Sequence, residues 1–177
     1  MAGSAESVSA RQGGEDELFE ALYEPVRHDL YRYALFYLGN REDAEDAMQD
    51  AALDAYGGIG RLRSPAYFKG WFFRILSVKC RRILSGRIER RARFCELSDL
   101  PEGAEPSAAF ASALEMRDAL MRLRDDEREV ILLAVVGGYD SVEIGRLLRR
   151  PAGTVRSRMS RALAKMRAQE SGEATAE

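Results

Sequence analysis

The sequence predicts an all-α fold of two small helical domains joined by a flexible linker, on three observations. Apolar residues recur at helical spacing along most of the 177 residues, strand signals are weak throughout, and Gly and Pro punctuate the periodic stretches. The periodicity lapses from residue 86 onward, where Gly86, Pro101, Gly103 and Pro106 gather as they do in a linker between packed units. One domain is therefore expected at 15–85, a linker at 86–107 and a second domain at 108–168, with small polar tails at 1–14 and 169–177 read as disordered.

In order along the chain, residues 16–23 read as a short helix and Pro25 opens a second, because proline is tolerated in a first helical turn. Leu30, Tyr33, Ala34, Tyr37 and Leu38 give that helix a buried stripe, which stops at Gly39. Residues 41–56 form the next helix: Ala44, Ala47, Met48, Ala51 and Ala52 lie opposite a row of carboxylates, and their small size permits close packing. After the glycine-rich loop GGIGRLRS, Ser64 reads as a cap and Pro65 as a first helical position, so a helix is expected over 65–85. Phe68, Trp71, Phe72, Ile75 and Leu76 fall on one stripe of that helix and are assigned to the core.

Residues 140–167 specify two short helices at a tight turn. Asp140 and, three residues later, Glu143 form a capping box, so one helix starts at Ser141. Val142, Ile144, Leu147 and Leu148 make its apolar stripe, and Pro151, which lacks an amide donor, ends it near Arg149. Beyond Pro151, Val155, Met159, Ala162, Leu163 and Met166 recur at helical spacing and leave Thr154, Ser157, Arg158, Arg161 and Lys165 on the other side. That face is short and polar at its start and basic further on, which suits a helix-turn-helix docking its second helix in the major groove. Arg156 and Arg158 are the best candidates for base contact.

A net charge of −2 hides strong segregation. Between residues 61 and 93 many Arg and Lys face the single acid Glu89, and a second basic block spans 146–167. Glu42, Asp43, Glu45, Asp46, Asp50 and Asp54 crowd the helix at 41–56. Two basic surfaces and one acidic one point to two nucleic-acid contacts and a separate basic partner. In the first basic block Arg61, Arg63, Ser64, Tyr67, Lys69, Arg74, Arg81 and Arg82 are candidates to hold a single strand, by cations on its backbone and an aromatic platform for unstacked bases.

Cys80, Cys95 and the sole histidine, His28, cannot make an ordinary closed zinc site, and the cysteines are read as reduced thiols. No cofactor or metal is expected. No apolar run approaches a membrane span and no secretory signal pattern opens the chain, so a cytoplasmic protein without a membrane partner is expected. An enzyme is disfavoured, since the carboxylates of 42–50 lack a second acidic cluster or a phosphate-binding loop and no nucleophile sits beside a base.

Four segments, YALFYLGNREDAEDAMQDAALDAY, FKGWFFRI, REVILLAVVGGYDSVEIGRLL and PAGTVRSRMSRALAKMR, resemble in order and spacing the extracytoplasmic-function (ECF) sigma factors of bacterial RNA polymerase. The resemblance runs from Leu18 to Arg167. It implies a dissociable initiation subunit that performs no covalent chemistry. The first domain would bind core polymerase and melt the −10 element, and the second would read the −35 element as duplex through Thr154, Arg156, Ser157, Arg158, Arg161 and Lys165, with Arg149 and Arg150 in reach of the backbone. By the same resemblance Asp43, Asp46, Gln49 and Asp50 would meet the β′ clamp coiled coil, residues 60–67 would form a pocket for a flipped non-template base, the second domain would meet the β flap, and an anti-sigma factor is a further partner of many relatives. Val78 and Arg82 stand where the family usually has Asn and Asp, and Arg149 and Arg150 replace a Gly and an apolar residue. Without Gly, a left-handed turn position costs about 1 kcal/mol or more, which predicts a looser turn. The alternative reading is a stand-alone helix-turn-helix regulator, which would bind duplex DNA tightly by itself.

Overall fold

The computed structural model describes residues 3–93 and 108–173. The described residues are helical almost throughout, in two clusters. The first comprises α1 (Gly3–Leu38), α2 (Arg41–Gly58) and α3 (Phe68–Arg93), and the second α4 (Ala108–Met121), α5 (Asp125–Val135), α6 (Ser141–Leu148) and α7 (Ala152–Glu173). The segment at 94–107, with Cys95, lies outside the described residues. Three helices run into segments assigned above to tails or linker: α1 begins at Gly3, α3 continues to Arg93, and α7 ends at Glu173.

The two helices expected on either side of Pro25 are one. Pro25 lies inside α1, where it removes a backbone donor and its ring crowds the preceding turn, at a cost of about 3 kcal/mol. Packing on both sides of it offsets that cost. Before the proline, Phe19 meets Phe68 edge-on and Tyr23 stacks on Phe72; after it, Tyr33 meets Phe73 edge-on. Each clamps α1 to α3, so the helix axis is held through the break. Pro25 itself is exposed.

Gly39, at φ +77°, ends α1, and Asn40 caps α2 by accepting the Asp43 amide at 2.9 Å. On the small face of α2, Ala44, Ala47, Met48 and Ala51 are buried as expected, whereas Ala52 is only half-buried and Ala55, one turn beyond Ala51, is inaccessible in its place, letting α1 and α3 approach closely. Between α2 and α3 the chain makes two 3-10 turns, Ile59–Arg61 and Pro65–Tyr67. Ser64 precedes the second but makes no side-chain capping bond, and the α-helix begins only at Phe68. Of the aromatic stripe, Phe68 and Phe72 are buried as expected, whereas Trp71 is half-buried.

In the second cluster the capping box forms as read. Asp140 accepts the Val142 and Glu143 amides at 2.7 and 2.8 Å, and Glu143 accepts the Asp140 amide at 2.9 Å. The turn after α6 is tighter than expected. Arg149 takes the left-handed conformation (φ 52°, ψ 49°) in place of a glycine, and the Arg150 amide closes the turn on the Gly145 carbonyl at 2.8 Å. Gly145 is what makes the closure possible, because a Cβ there would sit 2.7 Å from the Arg150 carbonyl oxygen. Two substitutions in this turn should therefore act with opposite signs. Arg149→Gly is expected to raise stability by about 0.5–1 kcal/mol, the left-handed penalty less the added freedom of the unfolded chain. Gly145→Ala is expected to lower it by about 1–3 kcal/mol, since the obstructing atom is backbone and cannot swing away. Urea unfolding of both variants checks the pair.

The clusters also pack on each other through Arg128, only 3 % exposed at the start of α5. Its guanidinium donates to the carbonyls of Leu120 (2.8 Å), Met121 (3.2 Å) and Leu123 (3.1 Å) at the end of α4, and to that of Tyr37 (2.9 Å) in the last turn of α1. One side chain thus gathers the carbonyls at two helix C-termini, that of Leu120 also accepting the Leu123 amide at 3.1 Å, and a cation there complements both dipoles.

Candidate nucleic-acid interface

The outward face of α7 carries Arg156, Ser157 and Arg161, all exposed, with Thr154 half-buried at its N-terminal turn. Arg161 folds back to donate to the Ser157 carbonyl at 3.2 Å, which aligns its guanidinium with the same face. Arg149 and Arg150 are exposed at the turn just before it. Ser160, exposed between Ser157 and Arg161, belongs to this face as well. Its place three residues beyond Ser157 puts it on this face by helical spacing, though a small neutral side chain carries no charge signal beside the arginines.

Arg158 and Lys165 are placed differently. Both reach back to the acidic first turn of α5. Arg158 pairs with Asp126 at 3.2 Å and its side chain is only 16 % exposed, and the Lys165 ammonium lies 2.7 Å from the nearly inaccessible Glu127 carboxylate. Burial alone would raise the Glu127 carboxyl; the Lys165 ammonium and the Arg124 amide outweigh it and hold that carboxyl below its usual range. These cations tie α7 to α5, whereas Arg156, Ser157 and Arg161 are open to a ligand.

The first basic surface divides in the same way. Arg61, Arg63, Arg74 and Arg82 are exposed, Ser64 is half-buried, and Tyr67 is 66 % exposed at the entrance to α3. Tyr67, Lys69, Trp71 and Arg74 line one wall of a groove of about 550 Å³. Lys69 pairs with Asp29 at 3.1 Å, so its charge is shared. Arg81 points to Glu129 of α5, 3.8 Å away. Glu129 is buried, and desolvation raises its carboxyl despite the opposing charge of Arg81. The chain therefore brings Tyr67, Lys69 and Arg74 together and keeps Arg81 apart on the side of α3 that meets α5.

On α2, Asp46, Gln49 and Asp50 are exposed in a row one turn long. Asp43 is drawn inward, accepting from Arg87 at 3.1 Å and from the Asn40 amide group at 2.9 Å. Arg87 also donates to the Leu38 carbonyl at 3.1 Å, so this acid braces the junction of α1, α2 and α3.

The chain thus presents an outward polar and basic helix face after a capped helix and tight turn, a separate aromatic and basic groove, and an acidic helix. Family models say what kind of protein carries them. Residues 22–93 match sigma-70 region 2 and residues 113–166 match sigma-70, region 4. The chain belongs to the ECF sigma factors of the sigma-70 family. It is 33 % identical over 165 residues to the ECF RNA polymerase sigma factor SigM of Mycobacterium tuberculosis, covering 92 % of this chain and 82 % of the relative. It is 32 % identical over 171 residues to SigL of the same organism, covering 90 % and 93 %. Among solved structures, CnrH in complex with the cytosolic domain of CnrY matches with a TM-score of 0.68 at 24 % identity over 93 % of this chain and 94 % of that one. RpoE of Bartonella quintana, in complex with the anti-sigma factor NepR, matches with a TM-score of 0.67 at 23 % identity, over 85 % and 94 %. At those identities the structural likeness establishes the fold. This sigma factor directs RNA polymerase to promoters through its regions 2 and 4, and it is not an enzyme. No described helix is long and apolar enough to cross a membrane.

Proposed function

We propose that the region 2 domain, residues 15–85, engages core polymerase and captures the melted −10 strand, and that the region 4 domain, residues 108–168, reads the −35 duplex, with 86–107 linking them. The observation that carries the duplex assignment is the split among the α7 cations: Arg156 and Arg161 face outward with Ser157 between them, while Arg158 and Lys165 are paired with acids of α5. Base reading therefore falls to Thr154, Arg156, Ser157 and Arg161, and backbone contact to Arg149 and Arg150. Arg158 and Lys165 act as braces that set the angle of α7.

For the single strand, Tyr67 supplies the stacking platform, and Arg61, Arg63, Lys69, Arg74 and Arg82 the phosphate contacts. Opening is driven by binding, since seating an extruded base offsets an unstacking cost of a few kcal/mol. Asp46, Gln49 and Asp50 present the acidic face to the basic surface of polymerase, at the β′ clamp coiled coil, and region 4 meets the β flap. Because two neighbours of similar fold were solved with CnrY and the anti-sigma factor NepR, an inhibitor protein of that class is a further partner.

Transcription from a genomic promoter library tests the whole reading: purified chain that neither binds core polymerase nor directs transcription from any promoter overturns it. Within it, Arg156→Ala is expected to relax preference at one −35 position by about 1–3 kcal/mol, a factor of roughly 5–150. Arg158→Ala is expected to lower the stability of region 4 and leave the preferred sequence unchanged. Equal losses for Arg156→Ala on every DNA sequence would remove Arg156 from base reading and leave it a phosphate contact.

A further inference from the structure

We infer that Glu129 is a proton-operated latch between the two helical clusters: as a neutral acid it holds them together, and as a carboxylate it loosens them. The inference goes beyond the reading of promoter DNA and stands on the packing contacts alone. In the closed arrangement, where Arg128 and Tyr139 of region 4 meet α1 and α3, Glu129 is only 4 % exposed. Its Oε2 lies 3.8 Å from the Arg81 guanidinium of α3, too far for a hydrogen bond, and its Oε1 has no hydrogen-bond partner among the described residues. The buried hydroxyls of Tyr33 and Tyr37 on α1 lack partners too, and the Glu129 charge reaches both. An ionised carboxylate so poorly paired is costly to bury, whereas the neutral acid has no charge to desolvate and gains an O–H donor.

The titratable neighbours across the seam stay neutral: burial, and next the Glu129 charge, raise the Tyr33 and Tyr37 phenols and the Cys80 thiol. Burial also raises the Glu129 carboxyl, against the pull of Arg81 on α3, the Ser77 hydroxyl, Arg158 on α7 and Arg150 in the turn before it. On α5 itself Asp125 faces Arg128 at 3.8 Å and Asp126 faces Arg158 at 3.2 Å. A cleft of about 530 Å³ beside Arg81, Arg150 and Arg158 brings solvent to Glu129, so the proton exchanges without unfolding. When the clusters part, the cover supplied by α1 and α3 leaves with region 2, and the carboxyl returns toward its ordinary range. The proton is therefore held more tightly in the docked form. Docking is strongest below the ordinary carboxylate range and weakens as pH rises through the raised, docked value. One such group changes the docking constant by at most about tenfold per pH unit.

Trp71, the only tryptophan, lines a groove whose other wall includes Tyr139 and Leu147 of region 4, so its accessibility reports docking. The test is quenching of Trp71 by acrylamide, a neutral probe, between about pH 5 and 8. It is run on the full chain and on a Tyr139→Ala chain, whose looser docking brings the balance into measurable range. Quenching is expected to rise with pH, as the docking constant falls several-fold within the limit of one titrating group. Glu129→Gln keeps the neutral shape and is expected to stay docked, with a flat profile. Arg81→Gln removes the cation that favours the carboxylate and is expected to move the rise to higher pH; it decides the matter if Glu129→Gln loses its helical circular dichroism. His28→Gln, which takes the sole histidine from the surface between α1 and α2, should leave the response as it is. Flat profiles in both chains, a Glu129→Gln chain that responds like its parent, or a response lost with His28 would overturn the latch. So would an Arg81→Gln profile raised equally at every pH, which marks a structural contact only.

Discussion

Arg128→Met is expected to cost about 3–5 kcal/mol, the range seen when one side of a buried charged network is removed. The methionine fills much of the space but donates nothing. Four carbonyls, of Leu120, Met121, Leu123 and Tyr37, lose a charged donor together; that of Leu120 keeps the Leu123 amide, and each buried acceptor left unpaired costs about 1–3 kcal/mol before any relaxation. Burial already lowers the guanidinium's pKa from its ordinary value, with Asp125 opposing, yet arginine stays charged at any working pH. The loss is thus of a cation and its geometry together. Against a total stability of about 5–15 kcal/mol, such a variant should unfold at much lower urea, with region 4 the first to go because three of the four carbonyls belong to its α4 end. Arg128→Lys keeps the charge but cannot fork to several carbonyls at once, so its unfolding midpoint should fall between those of the parent and the methionine variant. A lysine variant as stable as the parent would mean that charge alone, and not the fork, holds the α4 end.

The prominence of Arg128 was invisible in the sequence, for a physical reason that also explains other differences. In the run DDEREVILLAV an arginine among acids reads as a solvated residue of a helix's first turn. Only the meeting of two helix ends, at Tyr37 and at Leu120 to Leu123, creates the acceptors that bury it. What local periodicity and capping chemistry determine was legible: the α2 alanine face, the Phe68 and Phe72 stripe, the Asp140–Glu143 box and the boundaries of α6. What depends on contacts between elements was not. Pro25 breaks a helix by local rules, and only the Phe19, Tyr23 and Tyr33 contacts to α3 hold α1 continuous through it. Likewise the α7 arginines are equivalent as letters, and the acids of α5 divide them. Arg149 differs in kind: the expected strain is present as a positive φ, but the turn keeps its tight geometry because the surrounding hydrogen bonds over-determine it.

Phe73→Ala is the other large effect expected, about 3–5 kcal/mol for emptying a fully buried aromatic site. The ring is in the region 2 core, edge-on to Tyr33 at 5.5 Å, and it also touches region 4 through Tyr139 at 5.7 Å. The total loss mixes core packing with docking between domains, and a double-mutant cycle separates them. With Tyr139→Ala as the second substitution, an aromatic pair in contact should show a coupling of about 0.5–1.5 kcal/mol. Urea unfolding of the four proteins measures it directly. If the two domains stand apart in solution, Phe73→Ala still destabilises region 2, because the ring keeps its edge-on contact with Tyr33 within that domain. The coupling to Tyr139 then falls to zero. The size of the loss therefore tests the core, and its dependence on Tyr139 tests the closed arrangement without any nucleic acid present.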